Sequence, residues 1–168
     1  MTLHRSTRLF GVASLLLLLA GCLYKFSGGG LPNHIRTVAV LPFENQTAAA
    51  EVTRELSDAL RKALQSRLGL RDASEARANA VVRGTITKYE PDVPVAFSSD
   101  PNQATSARRR LQISVDVQIV DQTNGKTLWE RKGLSAEGEY AERNEPDGRR
   151  QALERIVNDV IDGAQSQW

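Results

Sequence analysis

Between positions 111 and 119 the chain alternates without a slip. Leu111, Ile113, Val115, Val117 and Ile119 are apolar, and Gln112, Ser114, Asp116 and Gln118 between them are polar. A period of two predicts a strand with one buried face and one wet face. Residues 37–41, Thr-Val-Ala-Val-Leu, form a compact apolar run closed by Pro42, which predicts a buried strand. The period then lengthens. Val52, Leu56, Leu60 and Leu64 recur at steps of four with Ala59 and Ala63 beside them, while Arg54, Glu55, Arg61 and Lys62 fall largely on the other side. That is an amphipathic helix, with Thr47 available as its cap and Gly69 as its stop.

Residues 70–72 read as a short strand and 74–79 as a turn or short helix. Residues 80–90 read as a strand on Val81, Val82 and Ile86, and Pro91 and Pro94 end it or confine it to a sheet edge. Residues 95–107 are small and polar apart from Phe97, which predicts a long loop or hairpin tip. Asn124-Gly125 is a strong hairpin signal and leads into a strand over 127–136 that carries Leu128, Trp129 and Leu134. A polar connection over 137–148 precedes a last helix with Leu153, Ile156, Val157, Val160, Ile161 and Ala164 on one face. Two helices with one apolar face each can share one sheet. The expected fold is α+β, a two-layer sandwich with two helices packed on one face of a mostly antiparallel four-stranded sheet.

The first 21 residues follow another logic. Arg5 and Arg8 precede an apolar run over 9–19, too short to span a bilayer and of the length of a signal-peptide core. Leu19-Ala20-Gly21-Cys22 resembles the lipobox of bacterial lipoproteins. The resemblance implies removal of residues 1–21, a thioether-linked diacylglyceryl group on Cys22 and an acylated amine, because a single acyl chain anchors only marginally. Leu23, in place of an aspartate, favours the outer membrane by resemblance to proteobacterial sorting. Residues 22–34 then form the lipidated N-terminus and a tether containing Gly28-Gly29-Gly30 and Pro32, with Tyr24 and Phe26 free or packed on the domain. Residues 35–168 form one periplasmic domain.

Charge changes the picture once the leader is set aside. The full chain of 168 residues carries 22 basic and 20 acidic side chains. Both leader arginines are lost with the signal peptide, so the mature chain is formally neutral and offers no global attraction for nucleic acid. Cys22 is the only cysteine, which leaves no disulfide for the mature fold.

Candidate chemistry is sparse. His34 stands alone at the linker boundary and reads as a solvated residue, and no nucleophile, metal-ligand spacing or phosphate-binding glycine pattern is present. No catalytic residue, metal or cofactor beyond the covalent lipid is expected. Arg108, Arg109 and Arg110 enter the alternating strand together. They are either a solvated strand end that blunts aggregation or an anion contact, since arginine grips phosphate bidentately. Arg149-Arg150 reads as the first turns of a surface helix.

The placed elements also resemble a family. Cys22-Leu23-Tyr24-Lys25-Phe26-Ser27-Gly28, Leu31-Pro32, the run from Ile35 through Val38-Ala39-Val40-Leu41-Pro42-Phe43-Glu44-Asn45, and Ala80-Val81-Val82-Arg83-Gly84-Thr85-Ile86 are similar to the LPS-assembly lipoprotein family, LptE. The opening strand also looks like that of periplasmic modules of the CsgG-like, LpoB-like and TolB N-terminal types, which keeps a regulatory or secretion-complex lipoprotein as the alternative. The LptE resemblance implies a non-enzymatic outer-membrane lipoprotein. It would plug and help assemble an LptD-type barrel and contact lipopolysaccharide. The resemblance carries no residue-level binding motif; Arg108, Arg109, Arg110 and Lys126 are candidate contacts because loops that connect strands can reach a barrel lumen.

Overall fold

The computed structural model describes residues 31–93, 108–141 and 144–166. The signal peptide, Cys22, Tyr24, Phe26, the glycine run, Pro94 and the segment with Phe97 lie outside the described residues, as does the side chain of Arg108. The elements in order are β1 (Thr37–Val40), β2 (Glu44–Asn45), α1 (Ala50–Leu68), β3 (Arg71–Asp72), a single 3-10 turn (Glu75–Arg77), β4 (Ala80–Val93), β5 (Arg108–Asp121), β6 (Thr127–Ala141) and α2 (Glu145–Ser166).

The sheet has six strands in the order β3-β1-β4-β5-β6, with β2 also on β4. It is mixed. β4–β5 and β5–β6 are antiparallel, whereas β1–β3, β1–β4 and β2–β4 are parallel. This corrects the expected four-stranded, mostly antiparallel sheet, and the reason is physical. β2 and β3 have two residues each, too few for any alternation to show. The parallel pairing follows from α1, whose length carries the chain back to start β4 alongside β1.

β5 sits between β4 and β6 and sets the core. Leu111, Ile113, Val115, Val117 and Ile119 are all buried, and so are Val38, Val40, Ala80, Val82 and Ile86 on the neighbouring strands. The stripes of both helices close over them: Val52, Leu56, Leu60 and Leu64 from α1, and Leu153, Ile156, Val160 and Ile161 from α2. Each fully buried side chain of this size is worth about 1.5–3 kcal/mol. All buried hydrophobic residues among those described fall between Ile35 and Ala164. Leu31 packs on the same core, and the Ile35 N–H donates to the Pro32 carbonyl at 2.8 Å, so the end of the tether belongs to the fold.

Several boundaries differ from the sequence reading. α1 starts at Ala50 with Ala49 as a cap lacking any side-chain bond, so Thr47 is not the cap. Asn45 organises the entry instead: its Oδ1 accepts from the Thr47 N–H and hydroxyl, and its Nδ2 donates to the Ala49 carbonyl at 2.9 Å. Gly69 ends the helix in the left-handed conformation, φ 67°, as expected. β4 runs on to Val93, with Pro91 in an irregularity between Glu90 and Val93. β6 continues through Tyr140 to Ala141, and α2 begins at Glu145, so the polar connection expected over 137–148 is mostly strand and helix.

That extension depends on two glycines. A Cβ on Gly138 would lie 1.8 Å from the Gly148 carbonyl oxygen, so only bare backbone lets the first turns of α2 approach β6 this closely. α2 also guards the outer edge of β6. Gln151 Nε2 donates to the Glu139 carbonyl at 3.0 Å and Arg155 to the Glu137 carbonyl at 2.7 Å. These are edge groups that would otherwise invite another strand.

The face assignment is testable. Val115→Asp, which puts a carboxylate into the fully buried core, is expected to cost on the order of 4–5 kcal/mol. Gln118→Asp, on the wet face, is expected to leave the thermal midpoint nearly unchanged. Equal midpoints for the two variants would show the period of β5 to be misread.

Candidate functional site

The four basic candidates do not converge. Arg108, Arg109 and Arg110 begin β5, and Lys126 lies in the turn after its end. β5 has 14 residues, a length of about 44 Å at the rise of an extended strand. Nor do the arginines form one patch, because successive strand residues face opposite sides of a sheet. Arg109 pairs across to Tyr140, on the helix side, while Arg110 pairs with Glu139 on the wet side.

Each described arginine meets carboxylates from a neighbouring strand. Arg109 Nη1 lies 2.7 Å from Asp92 Oδ2 on β4. Arg110 reaches Glu137 at 3.2 Å and Glu139 at 3.7 Å on β6. These groups are partly in water, where a single ion pair is worth about 0–1 kcal/mol. The bridges orient the guanidinium groups and relieve their mutual repulsion without burying them.

At the other end of β5, the structure corrects the reading of His34. Its Nε2 lies 2.7 Å from Oδ2 of Asp121, a buried carboxylate at the base of the β5–β6 turn. The Thr123 N–H donates to the other oxygen at 2.8 Å. Burial pushes the Asp121 carboxyl up, but the hydrogen bonds from His34 and Thr123 outweigh it and hold the group below its usual value. His34 therefore ties the tether to the turn, a long-range contact that a lone histidine in sequence does not announce.

Arg149 is the second correction. It is not an ordinary surface residue, since its side chain is only 12% exposed. Its Nε donates to Glu55 Oε2 at 2.8 Å, and Glu51 on α1 and Glu145 on α2 lie at 3.3 and 3.5 Å. The Tyr89 hydroxyl donates to Glu145 within the same cluster, and burial and that bond push its pKa up to about 12. This cluster joins β4 to both helices. The only hint in the sequence is three glutamates at helix starts facing one arginine, and the pairing is non-local.

The wet face of the sheet is self-satisfied. Lys88 donates to Gln112, Gln112 to Ser135 and Arg83 to Gln118. A shallow depression of about 360 Å³ lies there between Glu44, Arg83, Asp116, Gln118, Glu130 and Lys132. Its charges are mixed, and it pairs no nucleophile with a base. Among the described residues no three His, Cys, Asp or Glu side chains converge as for a metal ion. What the surface offers is positioning of charge at the two ends of a stiff sheet.

The family model described as LptE, lipopolysaccharide-assembly, matches residues 35–165. No curated protein sequence matches the chain. Among solved structures the chain is similar to the PelC dodecamer from Paraburkholderia phytofirmans, at 17% identity and a TM-score of 0.55, covering 82% of this chain and 95% of that one. It is also similar to lipoprotein GNA1162 from Neisseria meningitidis, at 18% identity and a TM-score of 0.44, over 75% and 95% of the two chains. A minor lipoprotein from Acinetobacter baumannii gives 15% identity and a TM-score of 0.48, over 80% and 94%.

The clasp predicts a pH dependence. A carboxyl whose folded pKa is depressed contributes stability that is present above its unfolded value, 3.8, and lost as pH falls through the lower folded value. Asp121→Asn is therefore expected to lower the thermal midpoint at neutral pH and to converge with the unmodified protein as pH falls through the lowered folded value. A constant difference in midpoint across that range would show that the carboxylate charge contributes nothing.

Proposed function

The chain belongs to the LptE lipopolysaccharide-assembly family, which is non-enzymatic, and from that premise we propose that it is the lipid-anchored plug and assembly partner of an LptD-type outer-membrane barrel. The observation that carries this reading is the extent of the family match, from before β1 to the last turn of α2. The anchor in this reading is the acylated Cys22, and Leu23 after it directs the lipoprotein to the outer membrane.

Lipopolysaccharide is the proposed cargo, with Arg108, Arg109 and Arg110 as its contacts at one end of the sheet and Lys126 at the other. The bridges of Arg109 and Arg110 to partly exposed carboxylates are weak enough to exchange. A lipid A phosphate offers a guanidinium stronger, bidentate bonds in return. The domain itself would act by shape and position, with no bond made or broken.

Purification of the mature lipoprotein from its own bacterium in mild detergent tests the reading. A large barrel protein is expected to accompany it, and Arg108→Ser, Arg109→Ser and Arg110→Ser together are expected to keep the barrel but lower the bound lipopolysaccharide. Recovery with a cell-wall synthase, or as a closed assembly of its own copies, would favour the regulatory or secretion-complex alternative. The anchor has a separate check. Cys22→Ser is expected to retain its leader and take up no labelled fatty acid, because the only thiol is gone. Normal maturation and labelling of that variant would contradict the lipoprotein reading.

A further inference from the structure

On the helix-free face of the sheet, the register sets polar side chains of four strands side by side. Glu44 on β2 pairs with Thr85 on β4, and Thr85 pairs with Asp116 on β5. Two residues away, on the same face, Arg83 pairs with Gln118 and Gln118 with Glu130 on β6. All of these line the depression of about 360 Å³, and Lys132, Leu41 and Pro42 border it. That volume falls in the range of small-ligand sites, about 300–1,000 Å³.

Bonds within the protein fix these side chains without using them up. β6 bulges opposite Asp116, with Gly133 at φ 63°, and the Gly133 N–H donates to Asp116 Oδ1 at 2.7 Å. A bulge of this kind re-aims the side chains around it. Arg83 donates through Nε to Gln118 Oε1 at 3.0 Å, and Gln118 Nε2 donates to the Thr127 hydroxyl at 3.0 Å. Among the described residues, Asp116 Oδ2, both terminal nitrogens of Arg83, the Thr85 hydroxyl and the Glu44 carboxylate take no part in a hydrogen bond or ion pair. The result is a fixed set of unused donors and acceptors. Their backbone positions lie about 4.8 Å apart across the strands and about 7 Å apart along them.

Charge narrows what can bind. Glu44, Asp116 and Glu130 outnumber Arg83 and Lys132 in the depression, so it repels a phosphate. The match is an uncharged molecule that donates and accepts hydrogen bonds at many points and offers C–H surface to half-buried Leu41 and exposed Pro42. Saccharides have that chemistry. We propose that the depression binds an uncharged saccharide, its hydroxyls donating to Asp116 and Glu44 and accepting from Arg83 and Thr85, with a ring C–H face against Leu41 and Pro42. The site is separate from the arginines at the start of β5, and it needs neither the anchor nor the barrel partner. A domain seated in a barrel can keep it, because barrel interiors are polar and hold water.

The test follows the backbone amide resonances of the mature chain from residue 22 with Cys22→Ser, which keeps the whole described core. It is titrated with a glucose tetramer, an N-acetylglucosamine tetramer and inorganic phosphate. A saccharide is expected to shift the amides of residues 83–85, 116–118 and 130–133, and phosphate is expected to leave them in place. A response to the glucose tetramer assigns the site to hexose-rich glycans, and a response to the other tetramer assigns it to amino-sugar glycans. Asp116→Asn, which keeps an oxygen for the Gly133 N–H, and Arg83→Gln are each expected to weaken binding about 10-fold. Glu44→Gln, at a side chain without an internal partner, is expected to weaken it about 3-fold at an unchanged thermal midpoint. Ser114→Ala with Ser135→Ala, on the same face outside the depression, is expected to change it little. No shift with either saccharide, an equal response to phosphate, undiminished binding by the Asp116, Arg83 and Glu44 variants, or an equal loss in the serine variant would each overturn the proposal. None of these outcomes depends on lipidation or on barrel association, so the plug reading stands or falls on its own test.

Discussion

One strand face holds the molecule together. The five inward residues of β5 form the centre of one core with the stripes of both helices, α2 lying over β5 and β6 and α1 over β1, β2 and β3 beside it. β4 and β6 flank β5 in antiparallel register and extend its apolar face. α1 returns the chain so that β1 can join in parallel, and α2 lies over β5 and β6 while capping the carbonyls of the outer edge. A one-residue slip of β5 would turn Gln112, Ser114, Asp116 and Gln118 into the core. That penalty, more than any single bond, specifies the register.

The strong periodic signals were therefore legible. The alternation over 111–119, the four-residue steps from Val52 to Leu64 and the stripe from Leu153 to Ala164 all found their predicted elements and faces. β3 was legible as a short strand over 70–72 but not its place in the sheet, and β2 was not legible at all, because two residues carry no period and their pairing is decided by β1 and β4. The run over 137–148 looked like a loop because its strand half is spaced by glycine and glutamate. Gly138 is there for the close approach of Gly148, a constraint visible only when two elements meet.

The same distinction governs the charged residues. Composition marked Arg108, Arg109 and Arg110 as three adjacent charges at the entry of an alternating strand, but it could not say that the neighbouring strands supply Arg109 and Arg110 with carboxylates. His34 was read as standing alone and Arg149 as part of an ordinary surface helix because their partners are 87 residues away, at Asp121, and 94 residues away, at Glu55. Long-range electrostatic partners leave no mark in a single sequence.

The family and the geometry together describe a protein that works by where it holds its surfaces. It has a sheet with the His34–Asp121 clasp at one end, and membership in a non-enzymatic lipopolysaccharide-assembly family. The most direct measurement is the fraction of lipopolysaccharide accessible at the cell surface after the protein is depleted from its own bacterium. The account predicts that surface lipopolysaccharide falls while its synthesis continues, and that a chain truncated before α2, unable to cover β5, does not restore it. Unchanged surface lipopolysaccharide after full depletion would contradict the account.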